Sequence, residues 1–131
     1  MAEPTRIVDV MNVMGARPDG WWRDRPGAAR RLAEEVAALA ERGGGPFLLV
    51  LDGPEVLGLP EGDRGGGLAV AYARRGGPDA ADDRIVELAE AADDRGSLVV
   101  VTSDRALRGR LEALGVAVEG ARTLLDRLGQ G

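Results

Sequence analysis

The sequence predicts an α/β protein: a three-layer sandwich with a mainly parallel central sheet. Two continuous apolar runs, "FLLVL" at 47–51 and "SLVVVTS" at 97–103, have the pattern of strands covered on both faces. Between such runs lie stretches whose apolar residues recur at helical spacing, so strands and helices alternate along the chain. A length of 131 residues suits one domain with its own core and leaves little room for a second, so residues 1–131 are taken as a single unit.

Residues 6–13, "RIVDVMNV", begin the alternation as a buried strand ending in polar groups. A loop rich in Gly and Pro follows, "MGARPDGWWRDRPG", which carries both tryptophans. From Pro26 a helix presents Ala28, Leu32, Val36 and Leu39 on one face and stops at Gly43–Gly45. After the strand at 47–51, a 14-residue loop from 54 to 67 leads to a shorter strand, "LAVAY" at 68–72. Asp79 is placed to cap the next helix, whose stripe is Ile85, Leu88, Ala89 and Ala92 and which ends near Gly96. The strand at 97–103 is followed by a short helix at 104–114, a last strand "VAVE" at 116–119 and a terminal helix at 121–128.

Composition removes several chemistries. Histidine, cysteine and lysine are all absent, and every one of the 17 basic residues is arginine. General catalysis by imidazole, thiol chemistry, His- or Cys-ligated zinc and Schiff-base or Walker-type lysines are therefore excluded. What remains is carboxylate, amide, hydroxyl and guanidinium, a set that holds hard cations such as Mg²⁺ or Mn²⁺ and clamps phosphates. A net charge of −5 argues against binding nucleic acid through bulk positive charge, although acids neutralised by a cation would account for several of those charges. No apolar run is long enough to span a membrane, no secretory signal opens the chain, and the lack of cysteine fits a reducing cytoplasm.

In a parallel sheet, ligands bind beyond the carboxyl ends of the strands, near the switch in strand order. Asp9 and Asn12 lie toward that end of the first strand, Asp52 ends the second, and Asp104 directly follows "LVVVTS". The helix that opens with "AADDR" at 80–84 starts on the same side and brings Asp82 and Asp83. Each acid has a plainer use: Asp104 as a helix cap, Asp82 in a capping box, Asp52 in a turn. Asp9 is harder to explain so, because it interrupts an apolar strand and a buried carboxylate is costly unless compensated. Clustered carboxylates take up protons unless a cation is bound, and one or two divalent ions would suit phosphodiester hydrolysis without any histidine. The pentapeptide recurs at 91–95, where Asp93 and Asp94 are expected to be solvated surface.

Four segments resemble NYN domains, a branch of the PIN-like nucleases. "VDVMNV" resembles their D-x-x-N opening and "VLDG" their second-strand acid. "VAYARRGGPDAADDRIVELA" is similar to their strand–loop–helix segment, and "VVVTSDRAL" to their T-S-D-R strand end. The matches fall in family order over roughly residues 5–118, and "PDGWWRDRPGAARRL" resembles a bacterial subgroup. The resemblance implies a PIN-like Rossmannoid fold and a metal-dependent ribonuclease acting on single-stranded RNA or structured ends. It implies that Asp9, Asp82, Asp83 and Asp104 hold Mg²⁺ or Mn²⁺, that Asn12 orients a ligand or the scissile phosphate, and that Asp52 supports the site. Thr102 and Ser103 would support Asp104 or a bound water. Some family members carry another acid where this chain has Arg108, which weakens the case for a second ion.

Arg74, Arg75 and Arg105 flank these acids and are candidates for phosphate contacts, while Trp21 and Trp22 are candidates for stacking on unpaired bases. Against this, arginine is the chain's only surface cation, and a tryptophan serves equally to fill a core. A homodimer is compatible with the sequence. The main rival is a non-catalytic Rossmannoid module that binds RNA or a protein. A haloacid-dehalogenase-type phosphatase would want D-x-D in place of "DVMNV", a receiver domain needs a lysine, and no G-x-G-x-x-G follows the first strand.

Overall fold

The computed structural model describes residues 3–129. In chain order the elements are β1 (Thr5–Asp9), α1 (Val10–Gly15), α2 (Arg25–Leu39), β2 (Phe47–Leu51), β3 (Gly62–Gly65) and β4 (Leu68–Tyr72). They continue as α3 (Ala80–Ala91), β5 (Leu98–Val101), α4 (Arg105–Ala113), β6 (Ala117–Glu119) and α5 (Ala121–Gly129). Among the described residues the central sheet has six strands in the order β3-β4-β2-β1-β5-β6, parallel except where β3 runs antiparallel to β4. The three-layer α/β sandwich expected from the sequence is what forms.

Alternation along each strand builds the two covered faces. Val8, Leu49, Leu51, Val70 and Val101 point into a core closed by α1, α2 and α5. Ile7, Val50, Ala71 and Val100 point the other way, into a core closed by α3 and α4. In the second layer Ile85, Leu107 and Leu111 are fully buried, each contributing about 1.5–3 kcal/mol of hydrophobic stabilisation. Helix α2 is held at its start by Asp24, whose carboxylate accepts from the Gly27 N–H, with Pro26 in the first turn. It ends in a widened turn over Ala40–Gly44, where Gly43 takes a left-handed φ of 90° that a side chain would oppose.

Three expectations need correction. The first strand stops at Asp9 rather than continuing to residue 13, because Val10, Val13 and Met14 turn into a short helix and bury their side chains. The loop from 54 to 67 contains an exposed edge strand, β3, folded back on β4 through Gly65–Gly67, all with positive φ. Helix α3 ends at Ala91: Ala92 is already extended, and Asp94 accepts from the Gly96 N–H to cap a separate turn at Arg95–Ser97. The second "AADDR" is thus split between a helix end and a turn, not carried on one continuous helix.

Strand order reverses at β1, which lies between β2 on one side and β5 on the other. The carboxyl ends of β1 and β5 therefore border the crevice where an open parallel sheet binds ligands.

Candidate active site

The backbone register assembles this site before any side chain is considered. Ile7 pairs with Val100 and Val8 with Val101, so the next inward-facing positions, Asp9 and Thr102, meet at the strand ends. Both are buried, Asp9 to 3% exposure and Thr102 completely. The Thr102 hydroxyl donates to Asp9 Oδ2 at 2.9 Å and accepts from the Asp104 N–H at 3.1 Å. One hydroxyl thereby fixes Asp9 relative to the backbone that carries Asp104.

Asp104 caps α4 through Oδ1, which accepts from the Leu107 N–H at 3.0 Å. The plain use of this residue as a cap is therefore real, and it occupies only one of the two carboxylate oxygens. Asn12 projects from α1, and its Oδ1 accepts from the Ser103 N–H at 2.8 Å. That bond sets the amide so that its NH₂ group is free to donate. Ser103 uses its hydroxyl differently, accepting from the Ala121 N–H at 2.9 Å and so securing the start of α5.

Asp9, Asn12, Asp52, Asp82 and Asp104 line one open cleft of about 270 Å³, together with Met11, Pro78, Asp79 and Ala81. Four separate elements deliver these acids to the crevice at the strand-order reversal. Asp79 was expected only as a helix cap. It holds the N-cap position of α3 without making a cap hydrogen bond and lines the cleft instead. The signal available in the sequence was its place in the strand-to-helix connection, on the same edge as the other acids.

The cleft raises the proton affinity of two of its carboxylates, Asp9 and Asp82. Burial pushes the Asp9 pKa up, the Thr102 hydrogen bond and the Asn12 backbone N–H offset part of that rise, and Asp104 and Asp52 add to it. Asp82 is raised to about 6, first by burial and then by Asp9, Asp104 and Asp79, with Arg110 pulling the other way. Its position in the first turn of α3, where a helix dipole favours anions, does not overcome those effects. An all-oxygen donor set under mutual repulsion suits a hard divalent cation in chemistry. In geometry the acids are spread: among the described residues no three carboxylates stand close enough together to hold one ion.

Several candidates lie elsewhere. Asp83 does not join the cleft, because adjacent helix positions differ by about 100° and it faces α4, where Arg110 donates to its carboxylate at 2.9 Å. Arg74 and Arg75 line a separate cavity of about 200 Å³ on that outer side of α3, shared with Asp83, Arg84, Glu87 and Arg110. Arg105 is exposed on the first turn of α4, next to Asp104. Asp93 and Asp94 do not line the cleft. Since exposed ion pairs contribute about 0–1 kcal/mol, Asp83→Asn should shift the melting temperature by no more than about 4 °C and leave any cleavage rate within about twofold of wild type. A loss of activity comparable to that of Asp82→Asn would return Asp83 to the site.

The tryptophans divide between two roles. Trp21 is half-buried against the α1/α2 core, with the Arg25 guanidinium 5.3 Å from its ring centroid. Trp22 is 56% exposed, stands edge-on to Trp21 and lies 5.9 Å from the Arg23 guanidinium. Neither ring lines the cleft. Trp21→Ala should cost about 1–3 kcal/mol in urea unfolding, whereas Trp22→Ala should stay within about 0.5 kcal/mol and weaken single-stranded RNA binding. Unchanged RNA affinity in Trp22→Ala would remove that ring from the substrate surface.

Fold and cleft together define a Rossmann-like α/β sandwich with an acidic crevice at its strand-order reversal. Solved structures that share this architecture include two of Rae1 (YacP) from Bacillus subtilis, one of them a single-substitution mutant. For the mutant the TM-score is 0.78 at 23% identity, covering 97% of this chain and 76% of that one. The other gives a TM-score of 0.78 at 23% identity and covers 96% and 74%. No family model matches the chain, and no curated protein matches it. The likeness is one of fold. Among the described residues no helix is long and apolar enough to cross a membrane.

Proposed function

We propose that this chain is a metal-dependent ribonuclease of the NYN, PIN-like type, with Asp9, Asp82 and Asp104 as its principal acids. The observation that carries the proposal is the convergence of Asp9, Asp52, Asp82 and Asp104 on the crevice at the strand-order reversal, with Asp9 buried there. A buried acid among other acids is a standing cost in the absence of a cation, and among the described residues Thr102 is the one side chain that hydrogen-bonds to it. The ordered resemblance of four segments to NYN domains supports the same conclusion.

One Mg²⁺ or Mn²⁺ is the better match than two. Mg²⁺ keeps several waters and is held by one or two carboxylates plus substrate phosphates, which suits acids spread around a cleft. When bound, it would supply Lewis acidity and an activated water. The chain's residues do the positioning. Thr102 keeps Asp9 in place from below, and Asp104 retains one carboxylate oxygen free of its cap. Asn12, with its amide oxygen held by Ser103, turns an N–H pair outward to donate to a phosphate oxygen. Asp82, whose proton affinity is raised in the metal-free cleft by burial and by the neighbouring acids, would be held ionised by a bound cation and so add negative charge to hold the ion or its water.

The spread of the carboxylates also favours one second reading, a non-catalytic RNA-binding module of the same fold. Purified protein incubated with single-stranded RNA, duplex RNA and single-stranded DNA, in Mn²⁺, Mg²⁺ or EDTA, separates the two. The nuclease proposal expects RNA cleavage that EDTA abolishes. RNA binding without cleavage in either metal would select the module, and cleavage that survives EDTA would overturn the metal mechanism.

A further inference from the structure

Next to the acidic cleft lies a second pocket of about 280 Å³, and the two share Met11 and Asp52 as common wall. Its character is different. Met11, Pro26, Leu51, Pro54 and Val56 make its walls apolar, and Arg25 and Asp52 bring one charge of each sign. Those charges are not used internally: among the described residues neither Arg25 nor Asp52 has a hydrogen-bond or ion-pair partner. The Arg25 guanidinium lies instead over the Trp21 ring, 5.3 Å from its centroid, within cation–π range.

The pocket is also held open by the fold. The Tyr72 hydroxyl accepts from the Val56 N–H at 2.9 Å and donates to the Leu59 carbonyl at 2.7 Å. The Tyr72 N–H in turn donates to Glu61 at 3.2 Å, so the loop after β2 is pinned to β4 at several points. An apolar, preformed concavity with two oriented polar groups is the usual form of a small-molecule subsite.

We propose that this pocket receives one nucleobase of the substrate strand, and that Asp52 and Arg25 select guanine. This rests on the nuclease proposal for the adjoining cleft: a strand whose phosphate lies among the acids would bring a neighbouring base to the shared Met11–Asp52 wall. Apolar aliphatic walls take any base by burying its faces, so selection falls to the charged groups. A carboxylate only accepts, and guanine alone offers two adjacent donors, N1–H and N2–H, on one edge. A guanidinium only donates, and the guanine O6 and N7 form the acceptor pair that arginine reads bidentately. Uracil would set carbonyl oxygens against the Asp52 carboxylate, and adenine and cytosine each offer one amino group beside an acceptor nitrogen.

Methyl NMR of the full chain, metal-free in EDTA, titrated separately with guanosine, adenosine, cytidine and uridine, tests the proposal. Guanosine should shift the Met11, Ala29 and Val56 methyls saturably while Leu111 and Val116 in the opposite core stay still, and the other nucleosides should bind at least fivefold more weakly. Asp52→Asn and Arg25→Ala, both at accessible positions, should each reduce guanosine affinity by about tenfold. No shift at these methyls, equal binding of all four, preference for another base, or a guanosine preference that survives Asp52→Asn overturns the proposal. The nucleosides carry no phosphodiester and the buffer no metal, so the outcome is independent of whether RNA is cleaved. Metal-dependent cleavage with a silent pocket would remove this inference and leave the nuclease standing.

Discussion

Asp9→Asn is expected to lower RNA cleavage by about two to three orders of magnitude while melting temperature holds or rises slightly. The two effects separate because Asp9 is an unfavourable residue for the fold taken alone. It is 3% exposed, and burial raises its pKa, with Asp104 and Asp52 adding like charge. An amide of the same shape removes the desolvation and the repulsion, and its oxygen still accepts from Thr102 as the carboxylate does now at 2.9 Å. What it cannot supply is negative charge at the point where β1 and β5 end. Single-turnover cleavage of a labelled RNA, beside differential scanning calorimetry, checks both halves. If cleavage persists at the wild-type rate, Asp9 is a structural residue and the site is elsewhere. If the variant instead melts well below wild type, the Thr102 bond matters more as charge-assisted packing than as positioning.

Much of this arrangement is visible in the sequence, and the failures have identifiable physical causes. The strands were plain because "FLLVL" and "LVVV" are uninterrupted apolar runs between glycine-rich breaks, and the parallel sheet followed from the helices between them. The end of β1 was hidden because Val10, Val13 and Met14 satisfy a strand's apolar run and a helix's spacing equally. That ambiguity bears on function, since only the helical turn carries Asn12 back to the Ser103 N–H. Strand β3, "GDRG", has no buried side chain and no alternation, so nothing but pairing with β4 makes it a strand. Membership of the cleft was legible for Asp9, Asp52 and Asp104, which directly end or follow strands. It was not legible for Asp82 against Asp83, where the phase of α3 decides. Ala80, Ala81, Ile85 and Ala89 are its buried positions with Leu88 packed beside them, the expected stripe continued toward the helix start. Asp83 consequently reaches Arg110 on α4, a partner 27 residues away that no local pattern indicates.

Asp82 makes the metal-free protein a pH-sensitive fold, with a direction opposite to that of a salt-bridged carboxylate. Its folded-state pKa is about 6, against 3.8 as the ordinary value, because of burial and the Asp9, Asp104 and Asp79 charges. Between those values the folded state binds more protons than the unfolded one, so stability falls as pH rises. The contribution is complete below about pH 4 and is lost by the time pH passes 6; Asp9 is shifted in the same sense. In EDTA, wild type should therefore melt lower than Asp82→Asn at pH 7.5, by roughly 2–5 °C given the partial exposure of the side chain, and the two should converge toward pH 4. A cation that occupies the cleft reverses this. It binds the ionised folded form, so millimolar Mn²⁺ or Mg²⁺ should raise the wild-type melting temperature at pH 7.5 and lose that effect at pH 4.5, where protons hold the site. Asp82→Asn should respond less to metal at either pH. Thermal scans across pH 4–8 with and without Mn²⁺ decide the matter: a wild-type protein insensitive to metal at pH 7.5 would mean the acids repel one another without a cation to answer them. The second "AADDR" provides the control, since Asp93→Asn changes a surface charge outside the cleft and should follow the wild-type curve throughout.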